Sequence, residues 1–197
     1  EMPARWPRAL NQMNQQAGRM QHLLNDLLLL AKLEATNPPT NSQPVAVATL
    51  LQSIKGDAQA LSAERNHRIL LEADPTLLLK GSESELRSAF SNLVFNAVKY
   101  TPDHGEVHIR WWCNEHGAHL AVQDSGIGIE SKHLPRLTER FYRVDSSRAS
   151  NTGGTGLGLA IVKHVLLRHQ GRLDINSTLG KGSTFTCHFP LSQATVQ

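Results

Sequence analysis

The chain is short of cysteine, aromatics and long apolar runs. Only Cys113 and Cys187 are present among 197 residues, too few for a disulfide framework or a four-cysteine zinc site. Both are expected to be small, reduced strand residues. No run of about 18 apolar residues occurs, so this stretch offers no membrane-spanning helix. The sequence opens on Glu1 without a basic-then-apolar leader and is expected to be a piece of something longer. The formal charge is only +3, the lysines and arginines are scattered, and Trp, Tyr and Phe number 3, 2 and 5. A surface for direct nucleic-acid binding is therefore not expected. What is there is 40% hydrophobic and 19% charged residues, sufficient for a packed core. The length suits one domain with an appendage.

The most regular stretch is residues 8–34. Leu10, Met13, Ala17, Met20, Leu24, Leu27 and Ala31 recur at alternating spacings of three and four, a heptad seam on one long helix. Leu23, Leu28, Leu30 and Leu33 widen the stripe, which predicts a multi-helix bundle rather than a two-stranded zipper. Pro38, Pro39 and Pro44 in polar surroundings then mark a linker. Beyond it the pattern predicts a strand near 45–47, a helix over 48–64, strands over 68–73 and 77–80, and a helix from 83 to 100. Ser82-Glu83-Ser84-Glu85 has the form of a capping box for that helix. Strands over 106–113 and 118–124, a helix from 158 to 169, and strands over 172–176 and 183–189 complete the reading. Strands in hairpins with segregated helices indicate an α+β two-layer sandwich.

Three stretches could carry chemistry. On the helix over 83–100, Leu86, Ala89, Phe90, Leu93, Val94 and Ala97 form a core stripe, while Asn92, Asn96 and Lys99 align on another face. A carboxamide oxygen can ligate Mg²⁺ and an ammonium one turn on can meet phosphate oxygens; the alternative is a solvated face. Asp124-Ser125-Gly126-Ile127-Gly128-Ile129 follows a strand, so that an acceptor and a close backbone approach coincide. Gly153-Gly154-Thr155-Gly156-Leu157-Gly158-Leu159 runs into an apolar helix, leaving backbone N–H groups for an anion. The spacing excludes G-x-x-x-x-G-K-[ST], and the long polar loop before it excludes a Rossmann turn. Gly180-Lys181-Gly182-Ser183-Thr184-Phe185 marks a further turn before the last strand.

In their order and spacing these boxes resemble the histidine-kinase branch of the GHKL ATPases, the superfamily of gyrase, Hsp90, histidine kinases and MutL. The N box is Asn92 to Pro102, the first glycine box Asp124 to Ile129, the F box Glu139-Arg140-Phe141-Tyr142-Arg143, and the second glycine box Gly154 to Leu159. The resemblance implies the two-layer ATP-binding sandwich of that superfamily, preceded by one long helix of a dimerisation hairpin. It divides the chain into an incomplete hairpin helix at 1–35, a linker at 36–44, a catalytic domain at 45–192 and a tail at 193–197. It implies ATP and Mg²⁺ as ligands, with Asn96 on the metal and Asp124 accepting the adenine amino proton. Lys99 and Arg143 would be catalytic, meeting the phosphates. Asn92, Tyr100, Ile129, Phe141, Thr155 and Leu157 would line the nucleotide, Gly126 and Gly128 would shape its adenine end, and Thr184 would sit near the base. Gly154, Gly156 and Gly158 would hinge a lid running from about Arg143 to Thr155. Arg136, Arg140, Arg143 and Arg148 concentrate positive charge around it, either as a solvated loop or beside a triphosphate.

Two departures refine the expectation. ATP-hydrolysing branches of the superfamily place a glutamate four residues before the metal-ligating asparagine; here that position is Asn92, which cannot act as a base. None of the ten histidines is followed by Asp or Glu, so the phosphorylated histidine is expected before Glu1. A GHKL serine kinase or ATPase, and a nucleotide-sensing module that does not transfer phosphate, are the alternatives. The resemblance further implies a response-regulator receiver domain and a second copy as partners, and the cytoplasmic portion of a bacterial inner-membrane protein. His104, His108, Cys113, His116 and His119 fall close together, but strand alternation divides them between two faces, which argues against zinc.

Overall fold

The heptad-patterned segment forms helix α1 (Arg5–Ala35), the first element of a computed structural model that describes residues 5–36, 43–144 and 154–196. Its seam is open: Leu10, Met13, Met20 and Leu24 are exposed, whereas Leu30 and Leu33 are buried. The seam is therefore open over the N-terminal part of the helix, while Leu27, Leu29, Leu30 and Leu33 near its C-terminal end pack on the rest of the chain. Strand β1 (Gln43–Ala46) follows and α2 (Val47–Leu61) begins immediately after it. The strand thus begins two residues and ends one residue earlier than its sequence pattern predicts, and Val47 is spent on the helix's buried face. The chain continues through β2 (Arg68–Ala73), β3 (Leu77–Gly81), α3 (Glu83–Tyr100), β4 (Glu106–Asn114) and β5 (Gly117–Asp124). A 3-10 turn at Ser131–Arg136 leads toward α4 (Gly158–Arg168), β6 (Arg172–Thr178), β7 (Gly182–Phe189) and β8 (Ala194–Val196).

Five strands form one sheet in the order β2-β4-β5-β7-β6, antiparallel except for the β2–β4 pair. β1, β3 and β8 form a small antiparallel sheet beside it. Residues 194–196, read from sequence as part of a tail, are thus its edge strand, paired with Leu77–Leu79. Three residues are too short a run to show alternation. Helices α2, α3 and α4 cover one face of the five-stranded sheet, giving the two-layer sandwich.

Core residues follow the periods of their elements. Val107, Ile109 and Trp111 of β4, with Leu120 and Val122 of β5, point under the helices. Phe90 of α3 meets Phe189 edge-on at 6.3 Å, and Phe189 meets Trp111 at 6.4 Å. The Trp111 indole N–H, buried with its ring, donates to the Leu77 carbonyl at 3.2 Å and so ties the two sheets together.

The capping box does not form. Ser82 makes no side-chain cap to the helix, and its backbone N–H donates to Nε2 of His169 at 3.1 Å. Glu85, which would have accepted that N–H, instead takes Arg168 in a bidentate pair with both contacts at 3.0 Å. A charged, two-pronged partner from α4 outcompetes a neutral local one. His169 is buried neutral: its Nδ1–H donates to the Val165 carbonyl at 2.8 Å, and burial lowers its pKa.

Candidate functional site

Helix α3 sets the site. Its apolar side is buried in the core, which fixes the rotation of the helix and leaves Asn92, Asn96 and Lys99 on the side facing the second glycine box. The three are not equivalent. Asn92 donates its amide to the Ser88 carbonyl at 2.9 Å, and its Oδ1 lies against Gly158 so closely that a Cβ there would stand 2.5 Å away. Asn92 is a spacer between α3 and the N-terminus of α4. Asn96, one turn on, makes no side-chain hydrogen bond among the described residues. A free carboxamide oxygen suits Mg²⁺, which takes one or two protein ligands and fills its shell with phosphate and water.

Lys99 is half-buried, and its pKa falls to about 8, first through desolvation and then through the nearby Arg143 guanidinium. Its ammonium lies 5.0 Å from the centre of the Tyr100 ring and beside Gly154, where a Cβ would approach it to 2.6 Å. Arg143 donates to the Gly154 carbonyl. Two cations thus converge on the start of the second glycine box, where helix α4 presents the positive end of its dipole. That combination fits a polyanion.

At the other end of the site, Asp124 closes β5 and is only 7% exposed. Burial raises its pKa, while the backbone N–H groups of Gly126 and Ser183 pull the other way. Gly126 N donates to Oδ1 at 2.8 Å. The following turn is held by Ile127 N on the Tyr100 carbonyl at 3.3 Å, Gly180 N on the Ile127 carbonyl at 2.7 Å, and Ile129 N on Ser177 Oγ at 2.8 Å. Gly128 has φ +66°, and a Cβ there would lie 2.0 Å from the Thr178 carbonyl oxygen, so no other residue fits. The first glycine box is thereby fastened to both α3 and the β6–β7 turn.

Thr184, expected near the base, is not the residue paired with Asp124. It pairs with Gln123 on the outer face, and the neighbour across from Asp124 is Ser183, itself buried. Strand alternation from the register separates the two faces, and sequence alone leaves a one-residue ambiguity of this kind. Ser183 Oγ lies 2.9 Å from Ser177 Oγ, so Ser183, which the sequence reading passes over, belongs to the turn network under the aspartate.

The F box joins the second glycine box through its backbone: Phe141 N donates to the Gly156 carbonyl at 2.9 Å. Phe141 has φ +62°, unusual for a bulky residue, and its ring is 57% exposed. Leu157, by contrast, buries its side chain in the core and offers a ligand only its backbone. Thr155 is occupied by α1: its hydroxyl donates to Asp26 at 2.8 Å and accepts from Leu157 N at 3.2 Å. The arginines also divide. Arg136 pairs with Glu139 and lies over Tyr142 at 4.3 Å, and Arg140 pairs with Glu34 of α1. Only Arg143 of these three turns toward Lys99. Of the expected lid, from about Arg143 to Thr155, residues 145–153 with Arg148 lie outside the described residues. The histidines near 104–119 have other partners: His108 meets Glu72 at 3.0 Å, and His119 meets His188 at 2.8 Å and Asn114 at 2.9 Å.

Known proteins resemble this chain over most of its length. The family model for histidine kinase-, DNA gyrase B- and HSP90-like ATPases matches residues 81–193. The phosphate regulon sensor protein PhoR of Pseudomonas aeruginosa is 77% identical over 96% of this chain, which covers 43% of that protein. PhoR of Haemophilus influenzae is 43% identical over 93% of this chain, again covering 43% of the relative. The chain thus spans less than half the length of these curated relatives. Among solved structures, full-length ShkA in complex with AMPPNP superposes with a TM-score of 0.81 at 26% identity, over 96% of this chain and 40% of that one. The Acinetobacter baumannii histidine kinase AdeS has a TM-score of 0.76 at 19% identity over 92% of this chain and 83% of its own, a likeness of fold.

Two measurements follow from the site. In Asp124→Asn the Gly126 N–H keeps the side-chain oxygen, which aims an NH₂ donor at whatever donor the carboxylate receives. Affinity for Mg-ATP should fall about 5- to 150-fold by calorimetric titration, equivalent to one lost buried pairing of about 1–3 kcal/mol. Lys99 is cationic below its pKa of about 8. Mg-ATP affinity should therefore decline as pH rises through about 8, and Lys99→Met should remove that decline.

Proposed function

Because the chain belongs to the family of histidine kinase-, DNA gyrase B- and HSP90-like ATPases, we propose that it is the ATP-binding catalytic portion of a sensor histidine kinase. It would transfer the γ-phosphoryl group of ATP to a histidine on a segment outside this chain. In this reading residues 1–35 are the second helix of a dimerisation hairpin, 36–44 a linker, and the rest the catalytic domain closed by the β8 edge. The open heptad seam of α1 then awaits a partner helix and a second copy. The observation that carries the reading is the asymmetric strip on α3. Asn96 makes no side-chain hydrogen bond among the described residues, Lys99 and Arg143 converge beyond it, and Asn92 stands where a hydrolytic base would be.

The residues divide the work by position. Asp124 takes the adenine amino proton in a hydrogen bond, and the Gly126–Gly128 turn lets the base approach the backbone closely. Lys99, Arg143 and the N-terminus of α4 hold the triphosphate oxygens. Asn96 would hold Mg²⁺, which when bound would supply charge neutralisation. As the attacking imidazole nitrogen forms its bond to the γ-phosphorus, the bond to the β–γ bridging oxygen breaks and ADP leaves. The imidazole proton passes to a base outside this chain. Most of the acceleration then comes from positioning and electrostatics. The phosphoryl group would pass on to an aspartate of a response-regulator receiver domain. The two PhoR relatives support a role in phosphate-starvation signalling by an inner-membrane sensor with this portion in the cytoplasm.

The test uses γ-labelled ATP with this chain alone and with an added hairpin carrying the acceptor histidine. The chain alone should remain unlabelled and hydrolyse ATP slowly, since a missing general base typically costs about 10²–10⁴-fold. With the hairpin present, acid-labile, base-stable label should appear on the hairpin. Label on this chain alone would place the acceptor among its own ten histidines and overturn the reading.

A further inference from the structure

The helix that carries the strip stops abruptly. After Tyr100 the chain turns through Thr101, Pro102 and Asp103, with His104 at φ +63°. A helix end leaves its last carbonyls without intrahelical donors, and proline cannot supply one. Donors come instead from the turn between α2 and β2, more than 30 residues earlier. Arg65 Nη1 donates to the Val98 carbonyl at 3.0 Å and to the Lys99 carbonyl at 3.4 Å. Its Nη2 donates to the Thr101 carbonyl at 2.5 Å, and its Nε to Asp103 Oδ1 at 2.9 Å. His104 N returns a bond to the Arg65 carbonyl at 2.8 Å, while His67 Nε2 lies 3.1 Å from the Thr101 and Pro102 carbonyls.

One guanidinium therefore closes the last turn of α3 and addresses the carbonyl of Lys99 itself. We propose that Arg65 is a positioning residue for the phosphate end of the nucleotide site, pinning the last turn of α3 so that the Lys99 ammonium is held toward the second glycine box. This rests on the reading that Lys99 meets phosphate oxygens. A planar fork of five donors satisfies carbonyls spread over nearly a turn; a lysine can reach fewer of them and fixes their spacing less firmly. A cation at the negative end of the helix dipole is also favourable. The opposite side of the same turn is held by Ile127 N on the Tyr100 carbonyl, so the base end keeps an anchor of its own when Arg65 is changed.

The experiment is a double-mutant cycle read by calorimetric titration, with folding of every variant checked by circular dichroism. Arg65→Gln should weaken Mg-ATP about three- to tenfold while leaving adenosine within about twofold, and Arg65→Lys should recover part of the loss. With the last turn loosened, Lys99 gains water, so the pH at which Mg-ATP affinity declines should move above about 8. In a Lys99→Met background the Arg65→Gln effect should vanish, because the two residues act through one contact. Equal losses for adenosine and Mg-ATP, or fully additive losses, would make Arg65 a residue of general stability and overturn the proposal. If Lys99→Met alone leaves Mg-ATP affinity unchanged, the assignment of Lys99 fails and takes the proposal with it, a result visible before the cycle is closed. Should Arg65→Gln not fold, Arg65→Lys carries the same comparison.

Discussion

Helix α3 is buried along one side only, and that constraint determines where the chemistry can be. Leu86, Ala89, Phe90, Leu93, Val94, Ala97 and Val98 are buried, and burying each large side chain stabilises by about 1.5–3 kcal/mol. Turning the helix to hide Asn96 or Lys99 would expose that stripe. The phase of the polar strip is therefore set by the core, and the site inherits its rigidity. Gly158 against Asn92 sets the distance to α4, and the Ile127–Tyr100 bond sets the distance to the first glycine box.

What was legible in the sequence is what depends on local period and local chemistry. The strip on α3, the aspartate before two glycines and the glycine run into α4 all lie within a few turns of chain, and each appears where its pattern placed it. What was not legible depends on partners far away in sequence. Glu85 looks like half of a capping box until Arg168 is brought beside it. Thr155 reads as part of a ligand loop, yet its hydroxyl goes to Asp26, and Arg140 goes to Glu34. Ser183 rather than Thr184 stands across from Asp124 because one residue of register moves a side chain through the sheet.

Electrostatics divides the loop arginines by what they meet. Those that find carboxylates, Arg136 and Arg140, are committed to Glu139 and Glu34. Lys99 and Arg143 lie close enough for one to depress the other's proton affinity, and burial adds to the effect on Lys99. Burial and the neighbouring guanidinium both disfavour the Lys99 cation, and a bound polyanion offsets that cost. The same α1 helix that exposes its heptad seam also contacts both glycine-box and F-box residues through Asp26 and Glu34. Helix α1 and the candidate site are thus in direct contact.

The central claim is that the strip on α3 faces a metal-bound triphosphate with Asn96 at the metal. Substoichiometric Mn-ATP in place of Mg-ATP tests it, because paramagnetic broadening reports proximity to the metal residue by residue. The account predicts that the Asn96 side-chain NH₂ resonance disappears first, followed by signals from Asn92, Lys99 and Gly158, with His119 and His188 on the outer face broadened least. Broadening centred on the outer face, or an Asn96 signal that persists while others vanish, would contradict it.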